Sequence, residues 1–146
     1  MIYIGSDHAG FALKKKIEAY LQRKRITYVD MGPFKLHPED DYPDYCIPVA
    51  EAVAKDKGSA GIVIGGSGEG EAIVANKVKG IRAAVVYDTF TAVKSRQHND
   101  ANVIALRGRG VSAKKSITLL ALWLKTPFSN AAKHKRRIAK ISRYER

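Results

Sequence analysis

The sequence predicts an α/β fold: a Rossmann-like, three-layer, doubly wound parallel sheet of about five strands, in a single domain spanning residues 1–146 with a C-terminal helix. Three observations predict it. Short β-prone runs alternate with longer amphipathic runs along the chain. The apolar run Gly61-Ile62-Val63-Ile64 passes straight into Gly65-Gly66-Ser67-Gly68-Glu69-Gly70-Glu71 and then into a helix start, the order of a strand, a glycine-rich turn and a helix. No repeat, low-complexity tract or linker interrupts the chain, and its length suits one core.

Each element follows from its residues. Ile2–Ile4 is a brief first strand. Ala9–Lys24 carries Leu13, Ile17, Tyr20 and Leu21 at helical spacing, with Lys14, Lys15 and Lys16 between them. Thr27–Val29 is short and β-prone. Residues 31–44 hold Pro33, Pro38, Pro43 and an acidic cluster, and read as a loop. Cys46–Lys55 places Ile47, Ala50, Val53 and Ala54 on one helical face. Ile62–Ile64 is the third strand, and Glu71–Lys77 opens a helix. Ile81–Tyr87 is a continuous apolar run, expected to be a strand buried on both faces. Thr89–Arg96 is a short helix and Val103–Leu106 the fifth strand. Ala113–Leu124 is a helix with Ile117, Leu120, Ala121 and Leu124 inward. Pro127 ends it, and Ser129 is the expected N-cap of a last, basic helix.

Composition narrows the function. No apolar run is long enough to span a membrane. Met1–Gly5 lacks the features of a signal peptide. The single cysteine, Cys46, excludes an internal disulfide and suits a reducing, cytoplasmic setting. Nothing in the sequence resembles a zinc site. The formal charge is +12, and much of the excess lies in Lys133, Lys135, Arg136, Arg137, Lys140, Arg143 and Arg146. A basic surface suits anionic ligands. No aromatic residue interleaves with the tail's basic ones before Tyr144, so a base-stacking platform for nucleic acid is not supported.

The glycine-rich turn is the strongest candidate site. Such a turn aims backbone N–H groups at one spot beside a helix start, which suits an anion. No Gly-Lys-Ser/Thr follows it, and Glu71 stands where a dinucleotide fingerprint has its third glycine, so it matches neither nucleotide-binding pattern. An anion hole with a carboxylate at its exit suggests chemistry on a carbanion or enolate. The turn after the first strand adds Asp7 and His8, and His98 lies just before the fifth strand. In a doubly wound sheet ligands bind beyond the carboxyl ends of the strands, and all these groups are expected on that one rim.

These residues carry a resemblance. Gly5-Ser6-Asp7-His8-Ala9-Gly10, Asp41-Tyr42-Pro43, Gly65–Glu71, Ala75-Asn76-Lys77, Gly80-Ile81-Arg82-Ala83, Arg96–Asn102 and His134–Arg137 make the chain similar to the type B ribose-5-phosphate isomerase family, which includes galactose-6-phosphate isomerase subunits. Many members have a cysteine base at the position of Gly65. This chain resembles the subgroup in which a glutamate takes that role, which here is Glu71. The resemblance implies an aldose–ketose isomerase that converts ribose 5-phosphate to ribulose 5-phosphate through an enediolate. It also implies a homodimer or tetramer with active sites near the subunit interface, and neither metal nor cofactor.

The implied roles follow residue by residue. Glu71 is the base. Gly66, Ser67, Gly68, Glu69 and Gly70 form the anion hole. His98 opens the furanose ring, with Asp7 accepting the anomeric hydroxyl proton. Arg109, Arg137, His8 and Lys133 bind phosphate, where Lys133 replaces the family's usual arginine and gives up its bidentate fork. Asn99 orients a sugar hydroxyl and Tyr42 lines the pocket. Cys46 is expected to be a small buried hydrophobe. Two alternatives remain at this stage: isomerisation of a four- or six-carbon sugar phosphate such as galactose 6-phosphate or allose 6-phosphate, and a basic nucleic-acid-binding module.

Overall fold

The computed structural model describes residues 1–145; Arg146, counted above with the basic tail, lies outside them. The elements in chain order are β1 (Ile2–Ser6), α1 (Phe11–Arg23), β2 (Tyr28–Asp30), α2 (Pro43–Lys55), β3 (Ala60–Gly65), α3 (Glu69–Ala75), β4 (Ala83–Val85), α4 (Thr89–Asn99), β5 (Val103–Arg107), α5 (Ala113–Lys125) and α6 (Ala132–Tyr144). The strands form one sheet in the order β2-β1-β3-β5-β4, and every pairing is parallel. β1 and β3 lie side by side at the centre, where the chain order reverses direction across the sheet. Their carboxyl ends form the crevice in which such folds place ligands.

Alternation along the central strands sorts the core into two layers. Ile62, Ile64, Ile104 and Leu106 pack on one face with Leu13, Ile17 and Leu21 of α1 and Leu119, Leu120 and Trp123 of α5. Val63, Val103 and Ala105 pack on the other with Cys46, Val49, Ala50 and Val53 of α2 and Ala72 and Ala75 of α3. Among the described residues no helix is long and apolar enough to cross a membrane.

Four sequence expectations need correction. The Ile81–Tyr87 run is not a doubly buried strand. Only Ala83–Val85 pair, and all three are half-buried, because β4 is the sheet's edge. Asn76 satisfies its outer side: Ala83 N–H donates to Asn76 Oδ1, and Asn76 Nδ2 donates to Ala83 O. The loop from residue 31 ends earlier than expected, because Pro43 starts α2 in the first turn, where its missing N–H costs nothing. Ser129 does not cap α6. The cap position is Ala131, and Ser129 Oγ only accepts from Ala131 N–H at 3.4 Å. Lys14, which spacing puts between apolar positions, is fully buried, and its Nζ donates to Asp30 Oδ1 and to Pro33 O.

Candidate active site

The glycine-rich loop leaves the end of β3 and turns into α3 at Gly68. That residue has φ +84°, a conformation glycine adopts without cost. Glu71 therefore sits in the first turn of α3, facing back toward β3, and is only 3% exposed. Its carboxylate fills the space beside Gly65: a β-carbon built on Gly65 would overlap Glu71 Oε1 and Cδ. Burial raises the proton affinity of Glu71 above the ordinary carboxylate range. The amides of Glu71 and Gly68 pull it the other way, and the charge of Asp7 pushes it up again. Ser67 is exposed, and its Oγ accepts from Glu69 N–H at 3.2 Å.

Other residues close around this carboxylate. Asp7 is buried at the end of β1. Its backbone N–H donates to Ile64 O, and its Oδ1 accepts from Gly10 N–H. His8 follows, and Asp40 Oδ1 lies 2.9 Å from His8 N and 2.8 Å from His8 Nδ1. After β5 the backbone N–H groups of Gly108 and Arg109 donate to Gly65 O and Gly66 O. This brings the Arg109 guanidinium beside Gly66, with Nη1 3.7 Å from the position of a β-carbon there. The Tyr42 ring lies against Gly70, where a β-carbon would come within 2.7 Å of Tyr42 Cζ. Cys46 is fully buried, and burial pushes its thiol far up, so it is an inert packing residue. The ligand atoms of Asp7, His8 and Asp40 lie within 4.8 Å of one another. They are the one such grouping among the described residues able to reach a common cation, but His8 Nδ1 and Asp40 Oδ1 already face each other.

The expectation of a single rim fails for His98. α4 starts at the carboxyl end of β4 and runs back, so His98 and Asn99 in its last turn lie where the strands begin. Just beyond, Asn102 O accepts from Gly61 N–H at the start of β3. The Glu71 loop leaves the other end of that same strand. Six residues of β3 at about 3.3 Å each separate the two ends by roughly 20 Å.

A second cluster forms around His98. Its ring stacks on His134 with centroids 4.3 Å apart and planes 17° apart. His134 is buried, and burial, His98, Lys133, Arg137 and Lys94 all lower its proton affinity. Lys133 and Arg137 are exposed on α6. The chain thus brings Asp7, His8, Tyr42, Glu71 and Arg109 together at one end of the sheet and His98, Asn99, Lys133 and Arg137 at the other. The sequence gives no local sign of Asp40 or of His134, since Asp40 meets a residue 32 positions away and His134 stacks on one 36 away.

Comparison with known proteins places this arrangement. A family model described as Ribose/Galactose Isomerase matches residues 2–141. Ribose-5-phosphate isomerase B of Mycolicibacterium paratuberculosis is 43% identical over 99% of this chain and 91% of that protein. The crystal structure of ribose-5-phosphate isomerase B from Mycoplasma genitalium with bound ribulose-5-phosphate superposes with TM-score 0.95 at 44% identity, covering 99% of this chain and 95% of that one. The type B ribose 5-phosphate isomerase of Trypanosoma brucei superposes with TM-score 0.93 at 41% identity, covering 99% and 97%. With near-complete coverage by the family model and by relatives of this identity, the chain belongs to the ribose/galactose isomerase family.

Proposed function

We propose that this protein is a cytoplasmic isomerase that interconverts ribose 5-phosphate and ribulose 5-phosphate, with Glu71 as the base, in a site completed by a second copy of the chain. The observation that carries the base assignment is the Glu71 carboxylate, buried and resting in the volume that a side chain on Gly65 would occupy. A base placed there suits a carbon acid only if its proton affinity lies near neutrality. Burial moves Glu71 in that direction.

The chemistry follows from the geometry. In the open-chain aldose the Glu71 carboxylate takes the proton from C2. The C–H electron pair becomes the C1–C2 double bond, and the carbonyl oxygen at C1 takes up the negative charge. The amides of Gly66, Ser67 and Gly70 and the Ser67 hydroxyl are the donors available to an enediolate oxygen, while the Glu69 amide donates to Ser67 Oγ and the Gly68 amide also serves Glu71. Glu71 returns the proton to C1 as the hydroxyl proton on O2 moves to O1, which leaves the ketose. Arg109 and His8 bind the phosphate from the same copy.

Ring opening needs His98, and a single chain holds His98 a sheet's height from Glu71. A second copy that presents its α4–α6 end supplies His98, Asn99, Lys133 and Arg137. The α6 surface supports this reading. Its one buried residue is His134, whereas Ile141 is 47% and Tyr144 85% exposed. The groove of about 760 Å³ between α6 and edge strand β4 lies open beside them. A homodimer is the minimum that completes the site, and its symmetry completes two sites at once.

Purified protein is expected to isomerise ribose 5-phosphate without added metal. Glu71→Gln is expected to lower kcat by about a thousandfold while substrate binding persists. Near-normal turnover by Glu71→Gln overturns the base assignment. Faster turnover of a four- or six-carbon sugar phosphate under the same conditions reassigns the substrate but leaves the mechanism.

A further inference from the structure

We propose that Asp40 is a positioning residue for this reaction. It holds the His8 ring with Nδ1–H donating to its carboxylate, so that Nε2 faces the substrate phosphate, and its negative charge supports the form in which Nε2 also carries a proton, the donor that a phosphate oxygen requires. The inference rests on the reading of His8 as a phosphate ligand.

The geometry around His8 is one-sided. Asp40 Oδ1 accepts from His8 N–H at 2.9 Å and lies 2.8 Å from Nδ1. An ionised carboxylate only accepts, so Nδ1 must be the donor. Two hydrogen bonds to one oxygen fix both the backbone and the ring of His8. The Asp40 side chain is 7% exposed and the His8 side chain 31%. The ring therefore has a buried edge against Asp40 and an open edge that bears Nε2. A second hydrogen bond on the far ring nitrogen is how proteins set which imidazole nitrogen does the work.

Asp40 is itself held in place. Its N–H donates to His37 O within the 31–42 loop, and the start of that loop is tied to α1 by Lys14 Nζ, which donates to Pro33 O at 2.7 Å. Asp30, the partner of Lys14, also accepts from Gly32 N–H at 2.9 Å. α1 begins three residues after His8, so the His8 turn and the start of the loop that carries Asp40 are both anchored on one helix. A purely structural tether would not need a carboxylate. Asp40 Oδ2 is buried with no partner at hydrogen-bond distance, a cost that is greater for an ionised group than for a neutral one. Two groups beside the carboxylate can use its charge, the Tyr45 hydroxyl and the His8 ring, and the ring is the one held at 2.8 Å.

The test compares Asp40→Ala, Asp40→Asn and His8→Asn in the full chain. Readouts are kcat and KM for ribose 5-phosphate, inhibition by inorganic phosphate, and the tautomer of His8 from imidazole nitrogen–proton correlation spectra. Asp40→Ala is expected to raise KM and the phosphate inhibition constant by about tenfold, the worth of one charge-assisted hydrogen bond. The change in kcat should be under about twofold, since the base is untouched. The His8 Nδ1–H signal should be lost in the free protein, and the doubly protonated ring should be lost in the phosphate-bound one. Asp40→Asn keeps an acceptor but loses the charge, so it should restore the Nδ1–H signal in the free protein and only part of the change in KM and phosphate inhibition. If Asp40→Ala does not fold, Asp40→Ser carries the same comparison. Unchanged KM and an unchanged His8 tautomer in the Ala or Ser variant overturn the inference. If His8→Asn leaves KM and phosphate inhibition unaltered, the reading of His8 as a phosphate ligand fails instead. The tautomer measurement then separates that failure from a failure of the Asp40 contact.

Discussion

The two ends of the sheet carry different kinds of functional surface. At the carboxyl end, Asp7 and Glu71 are buried to within a few per cent and are held by backbone amides of adjoining loops. At the amino end, Asn99, Lys133 and Arg137 are exposed on helices, and only the His98–His134 stack is packed. In the proposed dimer the first end is finished within one chain and the second is not. Proton abstraction from carbon needs a desolvated base fixed to a fraction of an ångström, which rigid strand ends provide. In that proposed dimer, cations that meet a phosphate carried on a mobile sugar can wait on a helix surface until the second copy encloses them.

The sharpest way to break this comparison is to mix two inactive variants. Glu71→Gln damages only the finished end and His98→Asn only the unfinished one. If each site takes Glu71 from one copy and His98 from the other, a mixed dimer holds one intact site. Random reassociation makes half the dimers mixed, so about a quarter of wild-type activity should return. From the level of either variant alone, that is a recovery of more than about a hundredfold. A mixture as inactive as its components, shown by mass spectrometry to contain mixed dimers, places both residues in one chain's site and refutes the division.

A second variant probes the finished end alone. Gly65→Ala adds one methyl group where the Glu71 carboxylate lies. Glu71 must move, and a displacement of about 1 Å at a reacting group costs on the order of a hundredfold in rate. The loss should appear in kcat more than in KM, since the added methyl group meets the Glu71 carboxylate and not the Arg109 guanidinium beside Gly66. An unchanged kcat would mean that the carboxylate does not work from the position it occupies here.

The same contrast decides what the sequence revealed. The αβ alternation, the glycine-rich turn and the pairing of Asp7 with Glu71 were legible because each is a local pattern whose residues lie at strand ends that a parallel sheet must align. His98 was misplaced because the position of a residue before a strand was read as belonging to the same rim as residues after one. In a parallel sheet these are opposite ends. The Ile81–Tyr87 run looked like a central strand because apolar composition does not report order in the sheet, and β5 inserts between β3 and β4. The burial of Lys14 does not show in the spacing of α1, because its partners, Asp30 and Pro33, are distant in sequence. Asp40 was visible only as part of an acidic loop.

The smallest effect tests whether the finished end is costly to the fold. Glu71 has its proton affinity raised by burial, so its ionised form is disfavoured in the native state relative to the unfolded chain. Below the ordinary glutamate range near 4.3 the group is protonated in both states and the penalty vanishes. As pH rises through the elevated native value, the native carboxylate ionises against its surroundings and stability is lost. Glutamine, nearly isosteric and neutral throughout, avoids this loss. Glu71→Gln should therefore melt above the wild type at pH 8, by roughly 2–4 °C for each kcal/mol relieved in a chain of this size. The two melting curves should converge as pH falls toward 4.5. The same elevated affinity puts the acid limb of kcat/KM above the ordinary glutamate range, because only the ionised carboxylate abstracts the proton. If melting temperatures agree at both pH values while the acid limb remains high, the shift arises in the complex, when substrate and the second copy exclude water, and not in the folded chain alone.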